Sequence, residues 1–151
     1  MLPDPSILLE KLEISHPLIG LYEVPSIDGL GPFVEPEAGK NLCLFKFYRD
    51  WFEGKTLHLT REKSGCGGCT YWLFGKETRD REDFVAFLTE TEGLKDSKEL
   101  MNRFLDHVKP YKPEHQHMLV GRLEDNVASA KHLKTVTFFV NPDQLSALVI
   151  G

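Results

Sequence analysis

The apolar and polar residues of the chain alternate in short runs that predict four β-strands. Each run is rich in branched and aromatic residues, which are typical of strands. The predicted strands cover residues 18–24, 55–61, 117–123 and 135–140. In the second strand Leu57 and Leu59 alternate with polar residues, so we expect one buried and one exposed face.

Longer stretches repeat their apolar residues at the spacing of an α-helix. They predict helices over residues 5–14, 41–53, 80–90 and 97–108. Near the end of the chain, Asn141, Pro142 and Gln144 form a capping-box pattern that predicts a further helix from Gln144 to Ile150. These elements predict an α/β or α+β fold, with a small mixed sheet of about four strands covered by helices.

Between the first and second predicted strands, residues 25–40 are rich in proline and glycine. We predict a long loop there, either a surface connection or a lid over a ligand. The length of 151 residues and a hydrophobic content of 41% suit one domain with its own core. We therefore interpret residues 1–151 as a single domain.

Charge and cysteine content narrow the classes of function. The formal net charge is -5 and no cluster of basic residues is present, which argues against a nucleic-acid or acidic-membrane partner. The chain has no signal-peptide pattern and no apolar run of about 20 residues, so we expect a cytoplasmic protein. Three cysteines, an odd number, favour thiol or metal chemistry over a framework of disulfides.

The most informative stretch runs from Lys55 to Gly75, where a predicted strand leads into the sequence Ser-Gly-Cys-Gly-Gly-Cys. Gly65, Gly67 and Gly68 would let the backbone adopt positive φ angles and approach a ligand. Cys66 and Cys69 have the Cys-x-x-Cys spacing near the predicted start of a helix. The partial positive charge at such a position favours a thiolate.

This stretch supports several hypotheses about chemistry. In the first, three thiolates and a histidine hold a metal ion such as zinc, or an iron–sulfur cluster shared between subunits. The candidate ligands are Cys43, Cys66 and Cys69, with His58, His115 or His117 as the fourth. In the second hypothesis Cys66 is a nucleophile in thiol-based redox catalysis with Cys69.

Two further hypotheses do not use the thiols. The backbone N–H groups of Gly65, Gly67 and Gly68 could bind an anionic small molecule, with positive charge supplied by Arg49, Lys55 and Arg61. In the last hypothesis the cysteines pack as small hydrophobic residues. The domain would then be a structural or oligomerising module, a homodimer whose interface uses Tyr48, Trp51 and residues 141–150.

Three blocks of sequence resemble one family. They are residues 18–22 (LIGLY), 54–75 (GKTLHLTREKSGCGGCTYWLFG) and 135–148 (TVTFFVNPDQLSAL). Together they resemble the uncharacterised ArCR family of bacteria and archaea, domain of unknown function 169. The resemblance implies a recurring cysteine followed by glycines, which Cys66, Gly67 and Gly68 match. Cys69 stands where the family more often has a small residue.

The resemblance carries no settled activity. It also implies that the usual family domain continues past the third block with another segment that bears glycine and cysteine, which this chain lacks. Taking the residues and the resemblance together, we expect a cytosolic domain that binds a small ligand or a metal at the Cys-Gly-Gly-Cys turn.

Overall fold

The computed structural model describes residues 5–37, 43–64, 66–75 and 80–150. By its internal contacts the chain divides into two compact units. The sheet unit comprises Met1–Val34, Phe47–His58 and His117–Gly151, and the helical unit comprises Glu35–Lys46 and Leu59–Gln116.

The sheet unit is built on a five-stranded mixed sheet. Its strands are β1 (Ile19–Val24), β2 (Phe33–Val34), β3 (Thr56–Leu59), β4 (His117–Arg122) and β5 (Leu133–Thr137). They lie in the order β2-β3-β4-β1-β5. Strand β1 is antiparallel to both β4 and β5, and β2 is parallel to β3. The predicted mixed sheet is therefore confirmed, with one additional short strand inside the predicted loop.

Two details of the strand prediction are wrong. All four residues of β3 are buried, so this strand has no exposed face. It lies inside the sheet, between β2 and β4, and its polar Thr56 and His58 are covered as its leucines are. Strand β5 begins at Leu133, two residues before the prediction, and ends at Thr137, since it follows the register of β1 and not its own apolar run.

Helices α1 (Pro5–Lys11), α2 (Tyr48–Phe52) and α6 (Pro142–Ile150) belong to the sheet unit. Helix α1 ends earlier than predicted because Glu13 adopts a positive φ of 51°, and the N–H of Ile14 returns to the carbonyl of Leu9 at 2.9 Å. The predicted helix 41–53 is a 3₁₀ turn over Leu44–Phe47 followed by α2. Residues 38–42 lie outside the described part of the chain.

The predicted capping box at the start of α6 is confirmed. The Asn141 Oδ1 atom accepts a hydrogen bond from the Gln144 N–H at 2.9 Å, and the Gln144 Oε1 atom accepts one from the Asn141 N–H at 2.9 Å. The Gln144 Nε2 atom also donates to the carbonyls of Leu12 and Glu13, at 2.9 and 3.0 Å. The Gln144 side chain thus caps the start of α6 and also links this helix to the residues that follow α1.

The helical unit contains α3 (Gly67–Phe74), α4 (Arg81–Ala86), a π-helical turn (Phe87–Thr91) and α5 (Lys98–His107). Asp80 and Ser97 cap α4 and α5 through side-chain hydrogen bonds. The core of this unit consists of buried side chains from three helices: Tyr71, Phe84, Val85, Met101 and Leu105.

The apolar pattern of residues 97–108 predicts that Leu100 and Val108 lie on the inner face of the helix, and this is wrong at both positions. Met101 and Leu105 are buried, but Leu100 and Val108 are 43% and 41% exposed. The buried stripe is therefore narrower than the apolar pattern indicates.

Among the described residues, no helix combines the length and the apolar character needed to span a lipid bilayer.

Candidate functional site

Cys66 is the residue that starts helix α3. Its backbone is extended, with φ -98° and ψ 163°, and its Sγ atom accepts a hydrogen bond from the Cys69 N–H at 3.4 Å. Sulfur thereby takes the place of the Ser or Asp oxygen that usually caps a helix. The Cys-Gly-Gly-Cys sequence is thus the cap and first turn of α3, close to the helix start that the sequence predicts.

A chain of hydroxyl groups holds this turn in place. The Thr70 hydroxyl donates to the carbonyl of Cys66 at 3.1 Å, and the hydroxyls of Ser64 and Thr70 are hydrogen-bonded to each other. Both hydroxyl residues are buried, with 4% and 3% of their surface exposed. We call residues 64 and 66–70 the thiol turn. Its backbone is fixed by partners that are near neighbours in the sequence.

The three cysteines differ in their exposure. Cys43 is exposed, Cys66 is half-buried and Cys69 is buried. The helix predicted over residues 41–53 would include Cys43, but the helical segment begins one residue later, at Leu44. Cys43 is nevertheless close enough to Cys69 to act on it electrostatically.

Burial raises the pKa of the Cys69 thiol from 9.0 to about 12. Burial is the largest cause of this shift, and the negative charges that Cys66 and Cys43 would carry as thiolates contribute to it. Cys69 therefore keeps its proton at neutral pH. The two cysteines of the motif occupy different chemical environments only three residues apart.

The glycines of the motif do not have the conformation that we predict from the sequence. Gly67 and Gly68 form the first helical turn of α3, so they do not adopt positive φ angles. A Cβ atom added at Gly68 would lie 3.9 Å from Cys66 Sγ, an ordinary contact. Gly65 lies outside the described residues.

The three basic side chains proposed to assist an anion each form hydrogen bonds or ion pairs with other residues. Arg61 donates to the carbonyl of Phe74 at 2.9 Å, so it lies at the carboxyl end of α3 and not at the thiol turn. In the sheet unit, Lys55 forms ion pairs with Asp50 and Glu53, and Arg49 hydrogen-bonds to Tyr48. The prediction for Arg61 is wrong.

Two of the candidate metal-binding histidines meet in the sheet unit. His58 on β3 and His117 on β4 place Nε2 and Nδ1 3.0 Å apart, which is hydrogen-bonding distance. The ring of Phe33 lies beside His58, with 5.5 Å between ring centroids. In this hydrogen bond one ring nitrogen donates its N–H and the other ring nitrogen accepts it. Across the part of the chain that the structure describes, no group of three or more His, Cys, Asp or Glu side chains is arranged to hold a metal ion.

A buried carboxylate that pairs with an exposed lysine lies in the same sheet, and the sequence does not predict the pair. Glu23 on β1 is only 1% exposed, and the Lys134 Nζ atom lies 3.2 Å from its Oε2 atom. Lys134 is the extra residue of an irregularity in the β1–β5 pairing, where Leu21 pairs with Thr135 and Tyr22 with Leu133. Such a bulge re-aims a side chain. Glu23 stands out in the sequence as an acidic residue within the apolar run of β1. Nothing in the sequence indicates that Lys134 is its partner.

One of the residues proposed for a dimer interface is buried within the protein. Trp51 is 2% exposed and belongs to the core of the sheet unit, so its surface is not available to a partner. Tyr48 is 40% exposed, and on α6 Leu145 and Val149 are 53% and 77% exposed. The aromatic residues Tyr71 and Phe74 are also buried.

Comparison with family models adds to this picture. A model whose family is described as uncharacterised ArCR, a domain of unknown function, matches residues 7–151. Neither the curated proteins nor the solved structures gave a match to this chain.

Proposed function

The chain belongs to the uncharacterised ArCR family, domain of unknown function 169, and from the geometry of its thiol turn we propose that it carries out reversible dithiol chemistry. Cys66 would be the attacking thiolate and Cys69 the second thiol. The observation that carries the proposal is the contrast between a half-buried, helix-capping Cys66 and a buried Cys69 whose pKa is raised to about 12.

The position of Cys66 supports its role as the attacking group. Its Sγ atom accepts the Cys69 N–H and lies at the amino-terminal end of α3. A backbone donor and a helix amino terminus both favour the negative charge of a thiolate, which is the nucleophilic form of cysteine. Its partial exposure leaves a path for a substrate.

The reaction consistent with these roles is thiol–disulfide exchange with a disulfide as oxidant. The Cys66 thiolate attacks one sulfur of the substrate disulfide, forms a mixed disulfide and releases the other sulfur as a thiolate that takes up a proton. Cys69 then loses its proton to solvent and attacks Cys66 Sγ, which releases the second substrate thiol. The substrate gains two electrons, and the Cys66–Cys69 pair becomes a disulfide.

A redox titration tests this proposal. The protein is equilibrated in glutathione buffers of graded reduced-to-oxidised ratio, quenched with acid, alkylated and analysed by mass spectrometry. We expect a two-electron transition that produces a Cys66–Cys69 disulfide and that is lost in Cys66→Ser and in Cys69→Ser. Cys43→Ser is the matched control and should leave the transition unchanged. A motif that stays fully reduced in the most oxidising buffer would contradict the proposal.

A second candidate function is metal binding by three thiolates. It is supported by the electrostatic effect of both Cys66 and Cys43 on the pKa of Cys69. Zinc bound by three cysteines would leave a fourth position for solvent or a ligand. We place this candidate second because the described residues offer no set of three donors with metal-binding geometry.

Metal content separates the two candidates. Untagged protein is incubated with zinc, desalted and analysed by elemental mass spectrometry. The metal-binding candidate predicts one zinc per chain and its loss in Cys43→Ser, whereas dithiol exchange does not require Cys43. Zinc content that is unchanged in Cys43→Ser would eliminate the three-thiolate site.

A further inference from the structure

The sheet unit contains a cavity of about 530 Å³ that the thiol chemistry does not use. It is lined by residues 29–34 and by residues 125, 126, 128 and 129. Residues 54–56 also line it, and Thr56 is the first residue of β3. This volume falls within the range of about 300–1,000 Å³ that is typical of small-molecule sites.

Two buried polar side chains line this cavity and are fixed against each other. Asn126 Nδ2 donates to Thr56 Oγ1 at 3.1 Å and to the carbonyl of Arg122 at 2.8 Å. Thr56 and Asn126 are 9% and 8% exposed, although they are 70 residues apart in the sequence. Their positions are therefore set by the sheet, as a binding site requires.

A glycine in β4 makes room for this pair. A Cβ atom added at Gly121 would lie 2.8 Å from both Asn126 Nδ2 and Thr56 Oγ1. The two side chains occupy the space that any larger residue at 121 would fill.

The pair retains hydrogen-bonding capacity for a ligand. The hydroxyl of Thr56 reaches Asn126 Oδ1 at 3.3 Å, which is long for a bond between two oxygen atoms. The hydroxyl can turn toward an acceptor in the cavity, and Asn126 Oδ1 can accept from a donor there. The lining also includes the apolar residue Phe33.

The charges around the cavity disfavour an ionic ligand. Of the lining residues, Lys55 is held by Asp50 and Glu53 at 2.9 and 2.8 Å. Asp125 is held by Arg122 at 2.7 Å. A charged ligand would have to compete with these ion pairs, whereas an uncharged one would need only the side chains of Thr56 and Asn126.

We infer that this cavity binds a small uncharged molecule that carries hydroxyl or amide groups, with Thr56 and Asn126 as its hydrogen-bonding partners and Phe33 as its apolar wall. A single sugar ring or a compound of similar size matches these features. The site is separate from the dithiol chemistry and does not depend on it.

Three sugars that differ in charge test the inference. N-acetylglucosamine is neutral, glucosamine is a cation and glucuronate is an anion, while the ring is shared. We titrate each one to tens of millimolar and follow the Asn126 side-chain amide and the Gly31 backbone amide by ¹⁵N NMR. N-acetylglucosamine should shift both signals saturably, and the two charged sugars should bind more weakly.

Three variants make the test specific. Thr56→Val should weaken binding about tenfold by removing a buried hydroxyl, whereas Thr56→Ser should retain it. Ala128→Leu adds bulk to an exposed residue of the cavity wall and should block binding without altering the core. The inference is overturned if N-acetylglucosamine shifts neither signal, if a charged sugar binds equally well, or if Ala128→Leu binds as the wild type does.

Discussion

The thiol turn and the sheet satisfy their buried polar groups in opposite ways. In the thiol turn the hydrogen-bonding partners are three to six residues apart, as in the pairs Cys66–Cys69 and Ser64–Thr70. In the sheet the partners are 59 residues apart for His58 and His117, and 70 for Thr56 and Asn126. The turn can form with its own helix, but the polar pairs of the sheet exist only when distant strands have come together.

This difference predicts how the two regions respond to substitution. At neutral pH, a change in the thiol turn should alter reactivity with little effect on stability, because the hydrogen-bonding partners within the turn are near neighbours in the sequence. A change in a polar pair of the sheet should lower stability, because it leaves a buried group without its partner. The predictions that follow test this contrast.

The largest expected effect appears at alkaline pH and comes from the buried thiol of Cys69. Its pKa is 9.0 when unfolded and about 12 when folded, because of burial. Above pH 9 the unfolded state releases this proton and the folded state keeps it, so the free energy of unfolding should fall between pH 9 and 12. The loss should reach up to about 4 kcal/mol.

Urea denaturation across this pH range measures the loss. Cys69→Ala should flatten the curve between pH 9 and 10. Tyr22, whose pKa is also raised by burial from 10.0 to about 12, should still contribute at higher pH until it is replaced by phenylalanine. An identical pH dependence in wild type and Cys69→Ala would show that burial of this thiol does not control alkaline stability.

The next effect concerns the ion pair of Glu23 and Lys134. Lys134→Met removes the ammonium group from a carboxylate that is 1% exposed, and should lower the free energy of unfolding by about 2 kcal/mol at pH 7. Lys134→Arg keeps the positive charge and serves as the control. Adding Glu23→Gln to Lys134→Met should recover part of the loss. A Lys134→Met protein as stable as wild type would refute this role.

Alanine at two glycines compares the regions directly. Gly121→Ala places a Cβ atom 2.8 Å from the Thr56–Asn126 pair and should cost about 2 kcal/mol. Gly68→Ala meets only Cys66 Sγ at 3.9 Å, lies within α3 and should be neutral or stabilising by about 0.5 kcal/mol. Thermal and urea denaturation of the two variants measure both effects. Equal effects would remove the distinction between the regions.

The smallest expected effect concerns Gln144, whose side chain makes both local and distant hydrogen bonds. Gln144→Glu keeps the oxygen that completes the capping box but loses the donor to Leu12 and Glu13, and should cost about 1 kcal/mol. Asn141→Ala removes the local cap and should cost about 1 kcal/mol as well. Urea denaturation measures both. A Gln144→Glu protein with wild-type stability would show that the distant bonds contribute nothing.

The same contrast explains what could be predicted from the sequence. The start of α3 near Cys66 and the capping box at Asn141 were predictable, because each depends on residues within one helical turn. Strand β2 was missed because Phe33 and Val34 become a strand only by pairing with β3. The sequence does not predict the exposure of Cys43, because the helical segment begins only at Leu44 and its first turn has no buried residue.

The polar pairs of the sheet could not be predicted from the sequence for a related reason. His58 and His117 were candidates, but nothing in either segment indicates that they meet. The partner of Glu23 depends on a bulge at Lys134, and the partner of Thr56 depends on the absence of a side chain at Gly121. Periodicity in one sequence indicates which residues are buried, and it does not indicate which strand a buried polar group will face.

The most direct test of the account is the alkylation rate of each cysteine in the native protein at neutral pH. Iodoacetamide labelling followed by peptide mass spectrometry gives the three rates separately. We predict rapid labelling of Cys66 and strong protection of Cys69, with the protection lost when the protein is unfolded in urea. Labelling of Cys69 in the native protein as fast as that of Cys66 would contradict the asymmetry on which the proposed dithiol chemistry rests.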